Sequence, residues 1–175
     1  MALTKVQADG INLGDTFAFT GTVSGAGKLL QIRFNRNTTA VSVSDTSTVA
    51  TAVSHTITPT SSSNKIIING SIPWFAYASQ TVNTRMKLVR DIGGTETDLQ
   101  TLLIYNTHGS GTLYPYNYNE ISFPFLDEPS TTSEITYKLT FNTFTRTGTV
   151  YESRTNAYSG GSLLVLQEVS GWVCN

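Results

Sequence analysis

Residues Ile135–Phe144 read ITYKLTFNTF, with Ile135, Tyr137, Leu139 and Phe141 alternating against Thr136, Lys138, Thr140 and Asn142. Side chains of an extended chain repeat every two residues, so the apolar set shares one face and the polar set the other. A strand with one dry and one wet face belongs to an antiparallel sheet. Other segments carry strand signals too: Lys28–Phe34 (KLLQIRF), Thr39–Ser44 (TAVSVS), Val53–Ile57, Lys65–Ile72 (KIIINGSI), Arg85–Asp91 (RMKLVRD), Thr97–Tyr105, Ile121–Leu126 and Ser162–Val169. Ser, Thr, Gly and Pro separate them. Gly93-Gly94 reads as the hairpin turn between the strands on either side of it. No stretch keeps a 3.6-residue apolar period over three turns. The expected fold is all-β, an antiparallel β-sandwich of about eight or nine strands, jelly-roll-like.

Within KIIINGSI the chain is apolar on both sides. The spacing places Ile66 and Ile68 inside and turns Ile67 toward a second layer or a neighbouring subunit. Two connections are long: Asn106–Asn119 (NTHGSGTLYPYNYN) and Thr143–Gly161 (TFTRTGTVYESRTNAYSGG). Long loops in compact domains are often functional.

Ahead of the strands, Ala8–Gly27 reads ADGINLGDTFAFTGTVSGAG. Its apolar residues Ile11, Leu13, Phe17, Phe19 and Val23 all fall at odd positions and could share one side of an extended segment. Glycines at 10, 14, 21, 25 and 27 interrupt it. Such a segment closes no core of its own and must lie against its own chain or another subunit. The expected organisation is an extended assembly arm over residues 1–27 and a β-sandwich over 28–175.

The formal net charge is −1, and 13% of the residues are charged, against roughly 25% in an ordinary soluble domain. No basic face invites nucleic acid, so no nucleic-acid partner is expected. Low charge lets identical subunits approach closely. The single cysteine, Cys174, permits no internal disulfide. The opening MALTKVQADG has no apolar signal core, and no apolar run reaches the roughly 18 residues of a membrane span. Assembly in a cytoplasm, without membrane insertion, is the expectation.

Catalytic patterns are missing. His55 and His108 are the only histidines, and no Gly-x-Ser-x-Gly elbow accompanies them. Two separated histidines and one terminal cysteine do not make a zinc set. Asp9, Asn12 and Asp15 are too sparse for a calcium loop, and no phosphate loop is present. Glu120, Asp127, Glu128 and Glu134 are the carboxylates a glycosidase would draw on. Asp127 and Glu128 lie between Pro124 and Pro129 and read as a solvated turn. The expectation is no enzyme, no cofactor and no metal.

Aromatic residues stand out instead. Tyr114, Tyr116 and Tyr118 alternate with Pro115, Asn117 and Asn119. His108 lies upstream, and Trp74, Phe75 and Tyr77 form a second group. Flat rings with polar tips suit subunit interfaces and sugar faces. Tyr114, Tyr116, Tyr118, His108 and Trp74 are therefore candidate receptor or interface contacts, with core filling as the plain alternative. A proline between two tyrosines disfavours a central strand and favours a loop.

The opening MALTKV, the arm GDTFAFTGTVSGAG, the strand KLLQI, the segment ITPTSSSNKIIINGS and the ending GSLLVLQEVSG resemble virion appendage proteins of tailed bacteriophages. Tail-fibre proteins of cyanophages and related aquatic phages show this phrasing. The resemblance implies a homotrimer located in the virion, bound through its arm to other capsid or tail proteins and contacting a host surface glycan. It equally admits a capsid decoration or cement protein.

Overall fold

The computed structural model describes residues 28–43, 45–46, 49–78, 81–108, 117–146, 151–155 and 160–170. The expected arm, residues 1–27, lies outside the described residues, as do Cys174, Tyr114 and Tyr116.

The described residues form ten strands and no helix. They are β1 (Leu29–Asn37), β2 (Val41–Val43), β3 (Val49–Ile57), β4 (Lys65–Ala78), β5 (Thr81–Ile92), β6 (Thr95–His108), β7 (Asn117–Asp127), β8 (Ile135–Arg146), β9 (Tyr151–Thr155) and β10 (Ser162–Val169). One sheet runs β1-β10-β4-β7, and the other runs β3-β8-β5-β6, all antiparallel. β2 and β9 prolong the first sheet. β9 and β10 both pair with β4 on the side away from β7, because each pairs a stretch of β4 that β7 also pairs. β2 joins β9 much as β1 joins β10. Two sheets of four strand lanes, in this order, make a jelly-roll sandwich, as expected from the alternating strands.

The alternation of Ile135–Asn142 is realised. Ile135, Tyr137 and Leu139 are fully buried and Phe141 is nearly so. They meet Ile66, Ile68, Ile72, Leu164 and Leu166 in one core that also takes in Met86 and Leu88. Ile67 points to the other side of its sheet and is half-buried. Gly93 and Gly94, with φ of 59° and 88°, close the two-residue turn between Ile92 and Thr95. Positive φ at both positions is what such a turn needs.

Several expectations are corrected. β4 does not stop at Ile72. It continues through Pro73, which falls between Ser71, the last residue paired with β10, and Trp74, the first paired with β9. A residue without an N–H is tolerated where the ladder on that side is broken. Pro124 sits in β7, at the edge of its sheet, for the same reason. The loop expected over Asn106–Asn119 narrows, because His108 pairs with Thr81 and Tyr118 pairs with Phe75. The loop expected over Thr143–Gly161 contains β9, a strand that exists by pairing with β4 and β2. Ala78, Thr81, His108, Asn117, Arg146 and Tyr151, the ends of β4 to β9, lie at one end of the sandwich. Segments 58–64, 93–94 and 128–134 lie at the other end, with Lys28 and Ser170, where Ser170 N donates to the Lys28 carbonyl oxygen at 2.9 Å.

Candidate assembly surface

β1 is turned inside out. Its alternation, Leu30, Ile32 and Phe34 against Gln31, Arg33 and Asn35, would ordinarily bury the apolar set. Here the polar set faces the opposing sheet. Asn35 Nδ2 donates to the Ser54 carbonyl oxygen at 2.8 Å, Asn37 Nδ2 to that of Ala52 at 2.7 Å, and Gln31 Nε2 to that of Thr58 at 2.8 Å. Ala52 and Ser54 lie on β3, the edge strand of its sheet, so these amides occupy carbonyls that an open edge would leave to solvent.

The consequence is an apolar outer face. Ile32 is 50% and Phe34 70% exposed, and of the six exposed large hydrophobic residues described, four (Leu29, Leu30, Ile32, Phe34) lie on this one strand. The face continues across the sheet. Strand register aligns Ile32, Gln167, Ile67 and Leu126 in one row, and Phe34, Val165, Asn69 and Pro124 in the next. Leu126 is itself 43% exposed. Asn69 and Gln167, bonded at 3.5 Å, interrupt these rows, but Ile32 and Phe34 stand side by side on β1, and clustered exposed hydrophobics mark an interaction site.

The outer face of the second sheet has the opposite character. Lys138 Nζ reaches Asp91 Oδ2 and Glu96 Oε1, each at 2.7 Å, and Lys87 pairs with Asp98. The bond to Lys138 holds the Asp91 carboxyl below its ordinary value, and the two carboxylates raise Lys138. A groove of about 320 Å³ runs there between Val49, Arg85, Lys87, Glu96, Asp98 and Asn142. Its charges are largely paired, so it presents no single-sign field.

Two buried acids tie the sheets together at the end where Lys28 lies. Asp127 accepts from Arg90 Nη1 through both oxygens, at 2.8 and 3.0 Å, and from the Tyr137 hydroxyl at 2.6 Å. The expected solvated turn is therefore wrong for Asp127, which is 6% exposed. Burial first, then the bond to Asp127, pushes the Tyr137 hydroxyl far above its usual range. Glu168, fully buried, accepts from Asn64 Nδ2 at 2.6 Å, Thr60 N at 2.6 Å, Thr60 Oγ1 at 2.8 Å and Gln31 Nε2 at 2.5 Å. Burial works to raise its carboxyl, but these donors outweigh it and the net shift is downward.

The four carboxylates considered for glycoside chemistry are not assembled into a site. Glu120 bonds Ser71 on the outer face, Glu128 pairs with Lys65 at 2.5 Å, Glu134 is exposed, and Asp127 is bound by Arg90. His55 lies half-buried in β3, paired with Tyr137. Among the described residues no three His, Cys, Asp or Glu side chains cluster as metal ligands, and no helix is long and apolar enough to cross a membrane.

Of the aromatic candidates, Trp74 is corrected outright. It is 4% exposed and belongs to the core, because β4 runs on past Pro73 and carries it inward. His108 and Tyr118 are backbone-paired in β6 and β7, and their side chains lie outside the described residues. Tyr114 and Tyr116 do so entirely, as do Ile11, Leu13, Phe17, Phe19 and Val23. Sequence reasoning missed the outward face of β1. Its only signal was the polar alternate set Gln31, Arg33 and Asn35.

No family model matches the chain, and no curated protein does. Among solved structures, the chain is similar to those titled infectious bursal disease virus Gt strain (14% identity, TM-score 0.48, 92% of this chain and 44% of that chain). It is also similar to the VP2 subviral particle of the same virus (14%, 0.43, 93% and 44%) and to its Gx strain (12%, 0.43, 93% and 43%). The chain thus spans less than half the length of these proteins.

Proposed function

We propose that the protein is a structural subunit of a virion: a short fibre or knob-like appendage of a tailed bacteriophage. Copies join through the outer face of the β1-β10-β4-β7 sheet, and residues 1–27 attach them to capsid or tail proteins. The observation that carries this reading is the exposure of Ile32, Phe34 and Leu126 on one sheet face. A low-charge chain that turns its amides inward and its Phe34 outward is built to be covered. The sequence resemblance adds the bacteriophage setting, the homotrimer and the host glycan as the surface met by Tyr114, Tyr116 and Tyr118. An exposed apolar sheet face on a low-charge chain would serve a capsid decoration or cement protein equally.

The test has two parts. Light scattering of the purified protein at micromolar concentration should show an oligomer, and Ile32→Ser with Phe34→Ser should give a folded monomer. A wild-type monomer overturns the assembly reading. Quantifying copies per particle then separates the roles: a few copies at one vertex or tail indicate an appendage, and many copies indicate a cement. Adsorption of Tyr116→Ala particles should fall for an appendage and stay normal for a cement.

A further inference from the structure

The edge strands β1 and β3, one from each sheet, lie together at one side of the sandwich and differ. On β3 the carbonyls of Ser54 and Ala52 are occupied by the amides of Asn35 and Asn37. β1, nine residues long, stands at the edge of its sheet with no strand beyond it among the described residues. An open edge offers a row of backbone donors and acceptors to any extended segment. The chain that enters β1 is the arm, which meets it at Lys28.

The arm's sequence fits that edge in one register. Ser24-Gly25-Ala26-Gly27 suits a two-residue turn with glycine at the first central position, the requirement of a type II′ hairpin. Pairing Ser24 with Gly27 places Phe19 opposite Ile32, Phe17 opposite Phe34 and Asp15 opposite Arg36. Directly opposed residues of an antiparallel pair point to the same face. The odd-numbered apolar side of the arm therefore joins the exposed apolar side of β1, and a carboxylate meets a guanidinium at the far end. The alternate row is polar or small on both strands: Thr20 with Gln31, Ala18 with Arg33, Thr16 with Asn35. Gly21 falls opposite Leu30, where the β1 register with β10 is broken by a bulge. A one-residue slip would put Phe17 and Phe19 against the polar row.

We propose that residues 15–24 of the arm add to the free edge of β1 as an antiparallel strand, turning at Gly25-Ala26, with Phe19 opposite Ile32 and Phe17 opposite Phe34. The occupant is the chain's own arm. The turn requires no intervening chain, and intramolecular closure of so short a loop meets little entropic opposition. The added strand widens the apolar outer face by two phenylalanines. This inference stands on the edge and the register, independently of any virion role.

Paired cysteines test it in the full-length chain with Cys174→Ser. Opposed residues lie about 4.5–5.5 Å apart between Cα atoms, within disulfide range. Phe19→Cys with Ile32→Cys should close an intrachain disulfide on mild copper oxidation, seen by peptide mapping under non-reducing conditions. Phe17→Cys with Ile32→Cys, off register by two residues, should not. A crosslink between chains would overturn the proposal by showing a neighbour's arm on the edge. Absence of any crosslink, or equal crosslinking of both pairs, would overturn the register. Hydrogen exchange of the unaltered protein guards against misfolded variants: backbone amides of 16–23 should be protected as those of β1 are, and exchange at the free-chain rate would also overturn it.

Discussion

Arg90 grips both carboxylate oxygens of Asp127, at 2.8 and 3.0 Å, while the Tyr137 hydroxyl closes on the same group from β8 at 2.6 Å. Three strands of two different sheets meet in that contact. Removing one partner of a buried ion pair strands the other, at about 3–5 kcal/mol. Asp127→Ala should therefore lower stability by that order in denaturant titrations. Tyr137→Phe, which removes one hydrogen bond and leaves Asp127 with Arg90, should lose about 1–3 kcal/mol. Equal, negligible losses would show the contact to be incidental.

Gly70 and Phe123 oppose each other across β4 and β7. A Cβ at residue 70 would stand 2.5 Å from Phe123 Cε1 and 3.1 Å from Leu139 Cδ1. The ring fills the space that the glycine leaves. Gly70→Ala should destabilise by about 1–3 kcal/mol through overpacking. Adding Phe123→Leu should recover part of that loss, a non-additivity that a double-mutant cycle reads directly.

Acid should find Glu168. Its carboxyl is held below the ordinary glutamate value in the folded chain. A depressed carboxyl pKa contributes stability at pH above the unfolded value of about 4.3, and loses it as pH falls through the lower folded value. The melting temperature should drop through that acidic window, and Glu168→Gln should flatten this part of the profile while lowering stability at neutral pH. An unchanged acid limb in the variant would assign the loss to other groups.

Ile66 and Ile68 are fully buried, whereas Ile67 between them is half-buried on the outer face. Ile66→Ala and Ile68→Ala should each cost about 2–5 kcal/mol. Ile67→Ala should cost the single chain far less and weaken self-association instead. Thermal melts paired with light scattering separate the two effects.

How much of this was legible depended on whether one strand carries its own evidence. Ile135–Asn142 shows both faces in its alternation, and Gly93-Gly94 names its turn. β9 does not: Tyr151–Thr155 has no apolar period and is a strand because β4 and β2 flank it. Asp127 looked solvated because Pro124 and Pro129 suggest a turn, while its partner Arg90 is 37 residues away. Trp74 looked available because the strand signal Lys65–Ile72 stops short of it, and only the break between β10 and β9 explains why the strand passes through Pro73. The candidate surface was hidden by a rule that normally holds. Apolar alternation in KLLQIRF says that one side differs from the other, but it does not say which side is in. The inward hydrogen bonds of Gln31, Asn35 and Asn37 decide that, and they depend on where β3 lies.

The two outer faces, one carrying Ile32 and Phe34 and the other the Lys138–Asp91–Glu96 and Lys87–Asp98 pairs, answer to ionic strength with opposite sign. Added salt screens exposed ion pairs, while strongly hydrated anions such as sulfate favour apolar burial. In concentrated sulfate the molecule becomes one-sided: its charged face loosens its grip on anything bound there, and its apolar face seeks cover more strongly.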